Sequence, residues 1–267
     1  MLKNFPIGTI FGYVPVLILF PIILYLIFTS QIESAYYLAA IVGWILICGL
    51  GIAAGYHRIF AHKTHDLPAW KENIILFFAV FGGQGSSIMW TSLHRGYHHA
   101  HTDTEKDLHS PVNGLFQSFI GYTIKMTETS NIPNYKYAID LIRKPNHMWF
   151  HKNNLKLQWG VPVLIAIFDW KLALMLIILP MCISLIGDNL VNIIGHSKIL
   201  FSYRVGDTKD NSYNQPLLMF LCWGQPWHNG HHHKPNMYAH GKKVSGNWWE
   251  FDLCLLFLPF LGKPKND

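Results

Sequence analysis

Long uncharged runs dominate the chain. Asn4 to Ile32 and Ser34 to Tyr56 carry no charged residue, and each exceeds the roughly 20 apolar residues with which a helix crosses a hydrocarbon core. Leu157 to Gly187 is uncharged apart from Asp169 and Lys171, which flank Trp170, so it reads as two helices joined by a very short polar turn. Together these runs predict four membrane crossings, at about 9–30, 35–56, 155–169 and 171–195. A further run, Asn73 to Leu93, is interrupted by Gly82, Gly83, Gln84, Gly85, Ser86 and Ser87, and is expected to lie at the interface or re-enter rather than cross. The first run lacks a small-residue cleavage site and is longer than the apolar core of a signal peptide, so it is expected to stay as an anchor.

Composition agrees with lipid surroundings. Charged residues make up 13% of the 267, about half the roughly 25% of a soluble domain, while 51% are hydrophobic. Residues 57–156 hold 11 Lys and Arg, whereas the short turns around Glu33 and Trp170 hold only Lys171. Basic loops stay cytoplasmic, so both termini and the central loop are expected on that side. The net charge of +6 then reflects topology and anionic headgroups, with no basic run interleaved with aromatics to suggest nucleic acid. Cys48, Cys182, Cys222 and Cys254 form no C-x-x-C pair and read as small core residues. With no repeat or linker, the expectation is one all-α integral membrane domain over 1–267: four transmembrane helices under a cytoplasmic helical cap.

Sixteen histidines are a large excess for such a chain, and nine of them, with one asparagine, fall into four groups. His57 and His62 follow the second run, five residues apart; on an α-helix they diverge by about 140° and would serve two metals more naturally than one. His94 and His98 are four apart and share a helical face, with His99 turned away. Asn192 and His196 stand one turn apart near the end of the last run, and His228, His231 and His232 share a face if their segment is helical. All four groups reach the cytoplasmic side, where nine imidazoles exceed the needs of one ion and point to a two-metal centre. Imidazole suits Zn, Cu, Fe and Ni alike, so spacing does not name the metal.

Other histidines carry less. His65, His147, His151 and His240 are isolated and read as surface or hydrogen-bonded residues, and His233, turned about 100° from His232 and followed by Lys234, reads as a bystander. His101 and His109 lie in a loop with Asp103 and Asp107 and are candidates to orient ring nitrogens. Asp188, one turn before Asn192, is an ionisable residue at membrane depth and therefore a functional candidate.

The pattern H-x4-H, H-x3-H-H and H-x2-H-H resembles the three histidine boxes of the membrane fatty acid desaturases. The segments GIAAGYHRIFAHKTH, WTSLHRGYHHAHTDTEKDLHS, LVNIIGH and PWHNGHHHKP are similar to the Δ9 branch that includes stearoyl-CoA desaturases and their bacterial relatives, and WWEFDL at 248–253 resembles the bacterial members. The resemblance spans about residues 10–260. It implies a non-haem di-iron centre with His57, His62, His94, His98, His99, His196, His228, His231 and His232 as ligands and Asn192 holding a metal-bound water. It implies an oxidoreductase that uses O2 and two electrons to place a cis double bond, Δ9, in a saturated palmitoyl or stearoyl chain. Gln84 and Trp90 keep the family's substrate-binding places; Asp107, His109 and Asp188, read from their own positions, and Gln225, where this chain departs from the family, are the candidates to border the ligands. A bacterial inner membrane, with the active site on the cytoplasmic face, is the implied location.

Two departures bear on substrate. Ser92 and Leu93 replace the Arg-Asp pair through which animal enzymes contact CoA, which leaves acyl-CoA, acyl-ACP and acyl-lipid open as carriers. Gln225 stands where bacterial relatives usually have Glu. The 267 residues contain no cytochrome b5-like haem segment, so a separate donor, ferredoxin- or cytochrome b5-like with its reductase, is implied. The chemistry is consistent, since an unactivated methylene offers neither an acidic proton nor a leaving group. The alternatives are an alkyl or carotenoid hydroxylase of the same histidine-box type, and a metal transporter, which would place His and Asp within several spans.

Overall fold

A computed structural model describes residues 7–122 and 135–266, with side chains from Val16 onward. Asn4, where the first apolar run begins, lies outside the described residues. The main helices are α1 (Ile7–Phe28), α2 (Ser34–Ala61), α3 (Ala69–Val80), α4 (87–101), α5 (Pro145–Phe168), α6 (Trp170–Ile194) and α7 (His228–His233). Among the described residues the only β contacts are isolated bridges, Tyr203 with Asn214 and Asn214 with Trp227.

Two helices, α2 with 28 residues and α6 with 25, are long and apolar enough to cross a membrane. The other two predicted crossings coincide with α1, whose described apolar part is Val16–Phe28, and with the second half of α5. Helix α5 begins at Pro145, ten residues before the predicted start, because its polar first half (His147, His151, Asn154) packs into the rest of the protein and leaves no apolar signature.

Each helix buries one side and leaves apolar residues outside. On α1, Val16 and Ile23 are buried while Ile18, Tyr25 and Phe28 are exposed; Leu38 and Ile41 on α2 and Val163, Leu164 and Ile167 on α5 are exposed likewise. Such residues suit contact with lipid, which needs no polar surface. Helices α2 and α6 approach closely because position 43 is glycine: a Cβ there would lie 2.0 Å from the Leu176 carbonyl oxygen.

The turns α1/α2 and α5/α6 lie at one end and are tied together. Lys171 Nζ contacts Glu33 Oε1 at 2.6 Å, and Tyr36 Oη donates to Asp169 Oδ2 at 2.9 Å. Asp169 also caps α6, accepting from Leu172 N at 3.0 Å. At the opposite end α2 runs to Ala61, a turn further than predicted, and carries His57 within the helix. The run at 73–93 breaks where its glycines stand: Gly83 and Gly85 adopt φ of 73° and 77°, and Ser86 caps α4 by accepting from Met89 N at 3.3 Å.

Candidate metal centre

The ends of α2, α4 and α6, together with α7, bring all nine grouped histidines together. His57, His62, His94 and His231 form one cluster (A), and His98, His196, His228 and His232 form a second (B); within each, the candidate ligand atoms lie within 4.8 Å of one another. His99 groups with His231 and His232 between them. The facing atoms are Nε2 throughout: His57 to His231 at 3.0 Å, His62 to His94 at 2.8 Å and His99 to His231 at 3.0 Å, with His196 to His228 at 2.8 Å and His98 to His232 at 3.3 Å in cluster B.

The assignment of faces differs from the expected one, and backbone geometry is the reason. His62 N donates to His57 O at 3.2 Å, and His99 N donates to His94 O, both i→i+5 bonds of wide helical turns. In such a turn residues five apart stand one above the other. His57 and His62 therefore meet in one cluster instead of serving two, and His94 is paired with His99 while His98 faces cluster B. Helix α7 is an ordinary helix lying along the seam, and its three histidines, expected on one face, divide: His228 and His232, four apart, enter B, while His231, turned about 100° from His232, enters A. Gly195 admits the His228 ring, since a Cβ there would lie 2.7 Å from it.

Burial governs protonation. It drives His94, His99, His228 and His231 well below the ordinary imidazole range, holds His62 down to about 3, and lowers His232 to about 4 despite Asp210. At His98 burial is outweighed by Asp107, and the value rises. Neutral imidazoles whose Nε2 atoms face one another leave lone pairs opposed, an arrangement that a cation placed between them satisfies. Buried, unpartnered Nδ1 atoms on His57, His228 and His231 are consistent with protons on the outer nitrogens and lone pairs turned inward. The donor set thus fits metal.

The outer nitrogens of cluster B, apart from that of His228, meet carboxylates. His98 Nδ1 is 3.0 Å from Asp107 Oδ2, His232 Nδ1 is 2.8 Å from Asp210 Oδ2, and His196 Nδ1 approaches Asp103 Oδ1 to 3.2 Å without the alignment of a hydrogen bond. Such partners fix ring orientation and raise ligand basicity. Asp107 also faces His109 Nδ1 at 3.8 Å, and the His109 ring packs on Tyr122.

Beneath the clusters lies a cavity of about 60 Å³ lined by His57, His94, His98, His228, Asn192 and Trp90, among others. Asn192, the candidate water holder, therefore opens onto the same space as both clusters. The Trp90 indole stacks on His94 at 4.7 Å and donates to Gln84 Oε1 at 2.7 Å. Gln84 Nε2 donates to Asp188 Oδ2 at 2.6 Å, and Gln225 Nε2 to Asp188 Oδ1 at 2.5 Å. Trp90, Gln84, Asp188 and Gln225 thus form one chain of hydrogen bonds, in which two amides satisfy a carboxylate on α6.

Residues 34–241 match the family described as fatty acid desaturase. The chain belongs to this family. It is 32% identical over 240 residues to an sn-2 palmitoyl-lipid 9-desaturase of Nostoc sp. (strain 36), covering 87% of this chain and 81% of that one. It is 28% identical over 265 residues to an sn-1 stearoyl-lipid 9-desaturase of Anabaena variabilis, covering 97% and 89%. A Delta-9 acyl-lipid desaturase 1 of Arabidopsis thaliana is 29% identical over 228 residues, covering 80% and 68%. The protein is an oxidoreductase that desaturates fatty acyl chains and is associated with a membrane. These relatives are named as desaturases, which does not favour the hydroxylase alternative.

Two residues of the desaturase at this centre escaped the sequence reading. Asp210 reaches His232 from a loop that has no spacing signature; Asn229 Oδ1 draws that loop in by accepting from Val205 N at 2.7 Å and Gly206 N at 2.8 Å. His240, read as a surface or hydrogen-bonded residue, is instead buried beside cluster A, with both ring nitrogens unpartnered. His233 is exposed and His101 stands in neither cluster.

Proposed function

We propose that the desaturase binds two iron ions, one at each cluster, and uses O2 and two electrons to introduce a cis double bond at the Δ9 position of a palmitoyl or stearoyl chain carried on a membrane lipid. The nine histidines are the ligands, and Asn192 holds a metal-bound water. The observation that carries this reading is the pair of Nε2 clusters facing one cavity at the end of an apolar bundle. When bound, the irons supply the oxidising power that an unactivated methylene requires.

The chain's own residues do the rest. Burial keeps water from the imidazoles and keeps most of them neutral. Asp103, Asp107 and Asp210 hold the rings of cluster B, while the Trp90–Gln84–Asp188–Gln225 chain shapes the cavity wall against which the acyl chain must bend. A lipid carrier is favoured by the named substrates of the relatives. It is favoured also by Ser92 and Leu93, both buried and uncharged where the family's CoA enzymes have a charged pair.

The whole chain, 1–267, acts as one domain with four crossings at α1, α2, the second half of α5 and α6. The turns joined by Glu33 and Lys171 lie outside, and the histidines and both termini lie in the cytoplasm. Electrons come from a separate ferredoxin- or cytochrome b5-like donor. Expression in a host lacking this unsaturation, followed by mass spectrometry of its fatty acids with the double bond located, tests the reading. A Δ9 monoene in lipid-bound acyl chains is expected; a hydroxyl group with no new double bond would sink it.

A further inference from the structure

One imidazole beside cluster A has no part in the reaction as proposed. His240 is 1% exposed, and neither of its ring nitrogens has a partner. Its ring centroid lies 4.7 Å from that of His231, inclined at 38°, and 5.8 Å from that of His57. It belongs to neither group of convergent ligand atoms.

The neighbour has a matching need. His231 turns Nε2 toward His57 and His99, so its Nδ1 is directed away from the cluster, where it too is buried and unpartnered. Buried polar groups are nearly always paired, and a ligating imidazole almost always donates its other N–H. In cluster B, Asp107 and Asp210 meet that requirement for His98 and His232, with only His228 lacking a nearby carboxylate, whereas no carboxylate among the described residues approaches any outer nitrogen of cluster A within ion-pair distance.

The backbone holds His240 in place. His240 N donates to Asp252 Oδ2 at 2.6 Å, and the same oxygen accepts from Arg58 Nη1 at 2.6 Å. Arg58 Nη1 also donates to Tyr238 O at 2.7 Å, so the residue after His57 clamps the segment that delivers His240.

We propose that His240 is a positioning residue for cluster A: it accepts the Nδ1 proton of His231, directly or across one water, as Asp210 does for His232 in cluster B. The inference rests on the two-iron reading above. An imidazole acceptor withdraws the proton less strongly than a carboxylate, so the two metal positions differ in donor strength, with A the weaker.

The test uses the full-length protein in lipid nanodiscs, loaded with 57Fe(II), with iron counted per chain and each iron resolved by Mössbauer spectroscopy. The variants are His240→Phe, which keeps a ring without nitrogens, and His240→Gln, which keeps a donor and an acceptor. Wild type is expected to hold two irons. His240→Phe is expected to lose one, through a drop of roughly tenfold or more in the affinity of position A. Its remaining iron should keep the wild-type parameters, and the metal-free melting temperature should not fall. His240→Gln should restore the second iron. Two irons with unchanged spectra in His240→Phe would overturn the proposal, as would equal loss in both variants with a lowered metal-free melting temperature, the signature of a packing role. A wild-type chain that takes up no iron would instead defeat the two-iron reading and this proposal with it.

Discussion

Arg58 and Asp252 form a fully buried ion pair, Nη1 to Oδ2 at 2.6 Å, that fastens the C-terminal segment to the end of α2 one residue after His57. Removing one partner leaves the other charge stranded, which costs about 3–5 kcal/mol, whereas replacing both by apolar residues of similar volume is close to neutral. Asp252→Ala is therefore expected to lower the unfolding midpoint in detergent far more than the double change Arg58→Met, Asp252→Leu. Equal losses would show that the backbone bonds of these two residues, not their charges, dominate.

The histidine assignments make opposite predictions for neighbours. His231→Ala and His99→Ala should abolish the monoene while the protein still inserts in the membrane. His233→Ala should keep more than about half of it, because that ring is exposed and packs over Gly206 away from both clusters. Fatty acid profiles of the three variants, normalised to protein level, decide the matter.

Gln225 and Asp188 should behave as a swappable pair. Gln225→Glu sets a second carboxylate against Asp188 in a buried cavity, where both cannot ionise, and should cost at least about tenfold in rate. Adding Asp188→Asn returns an amide facing a carboxylate and should recover most of the loss. A double variant no better than the single one would indicate that the charge must sit on α6.

Glu72 offers a pH test outside the spans. Burial raises its carboxyl, but His147, Lys144 and Asn146 prevail and bring it from 4.5 to about 2. A depressed carboxyl contributes stability above its unfolded value and loses it as pH falls through the folded one. The melting temperature of Glu72→Gln should thus trail wild type by a constant margin at pH 6 to 7, and the gap should close between about pH 4.5 and 2. A gap independent of pH would assign the effect to packing.

Much of the architecture was readable because apolar length is a coarse and robust signal. The helices appear where the runs at 9–30, 35–56, 155–169 and 171–195 were read, although only α2 and α6 are long and apolar enough along their described length to cross a membrane. The grouping of the nine histidines was readable too, since imidazoles are rare enough in apolar chains to stand out. Which histidine faces which cluster was not, because spacing converts to direction at 100° per residue only in ordinary helix, and the backbone opens into wider turns at 57–62 and 94–99. Asp210 and His240 were hidden for a different reason: each arrives from a loop whose path is set by tertiary bonds, those of Asn229 in one case and of Arg58 with Asp252 in the other.

The wide turns also decide which mutations this chain tolerates. A turn closed over five residues holds one residue more than an α-helical turn, so a change that tightened 57–62 to ordinary helix without altering its length would leave His62 about 140° around the axis from His57. Hydropathy, net charge and histidine count would be unchanged, yet a ligand would leave its cluster. Between His57 and His62, and again between His94 and His99, it is the width of the turn that holds the two rings together, so a substitution there that favours ordinary helix is graver than the side chain it removes.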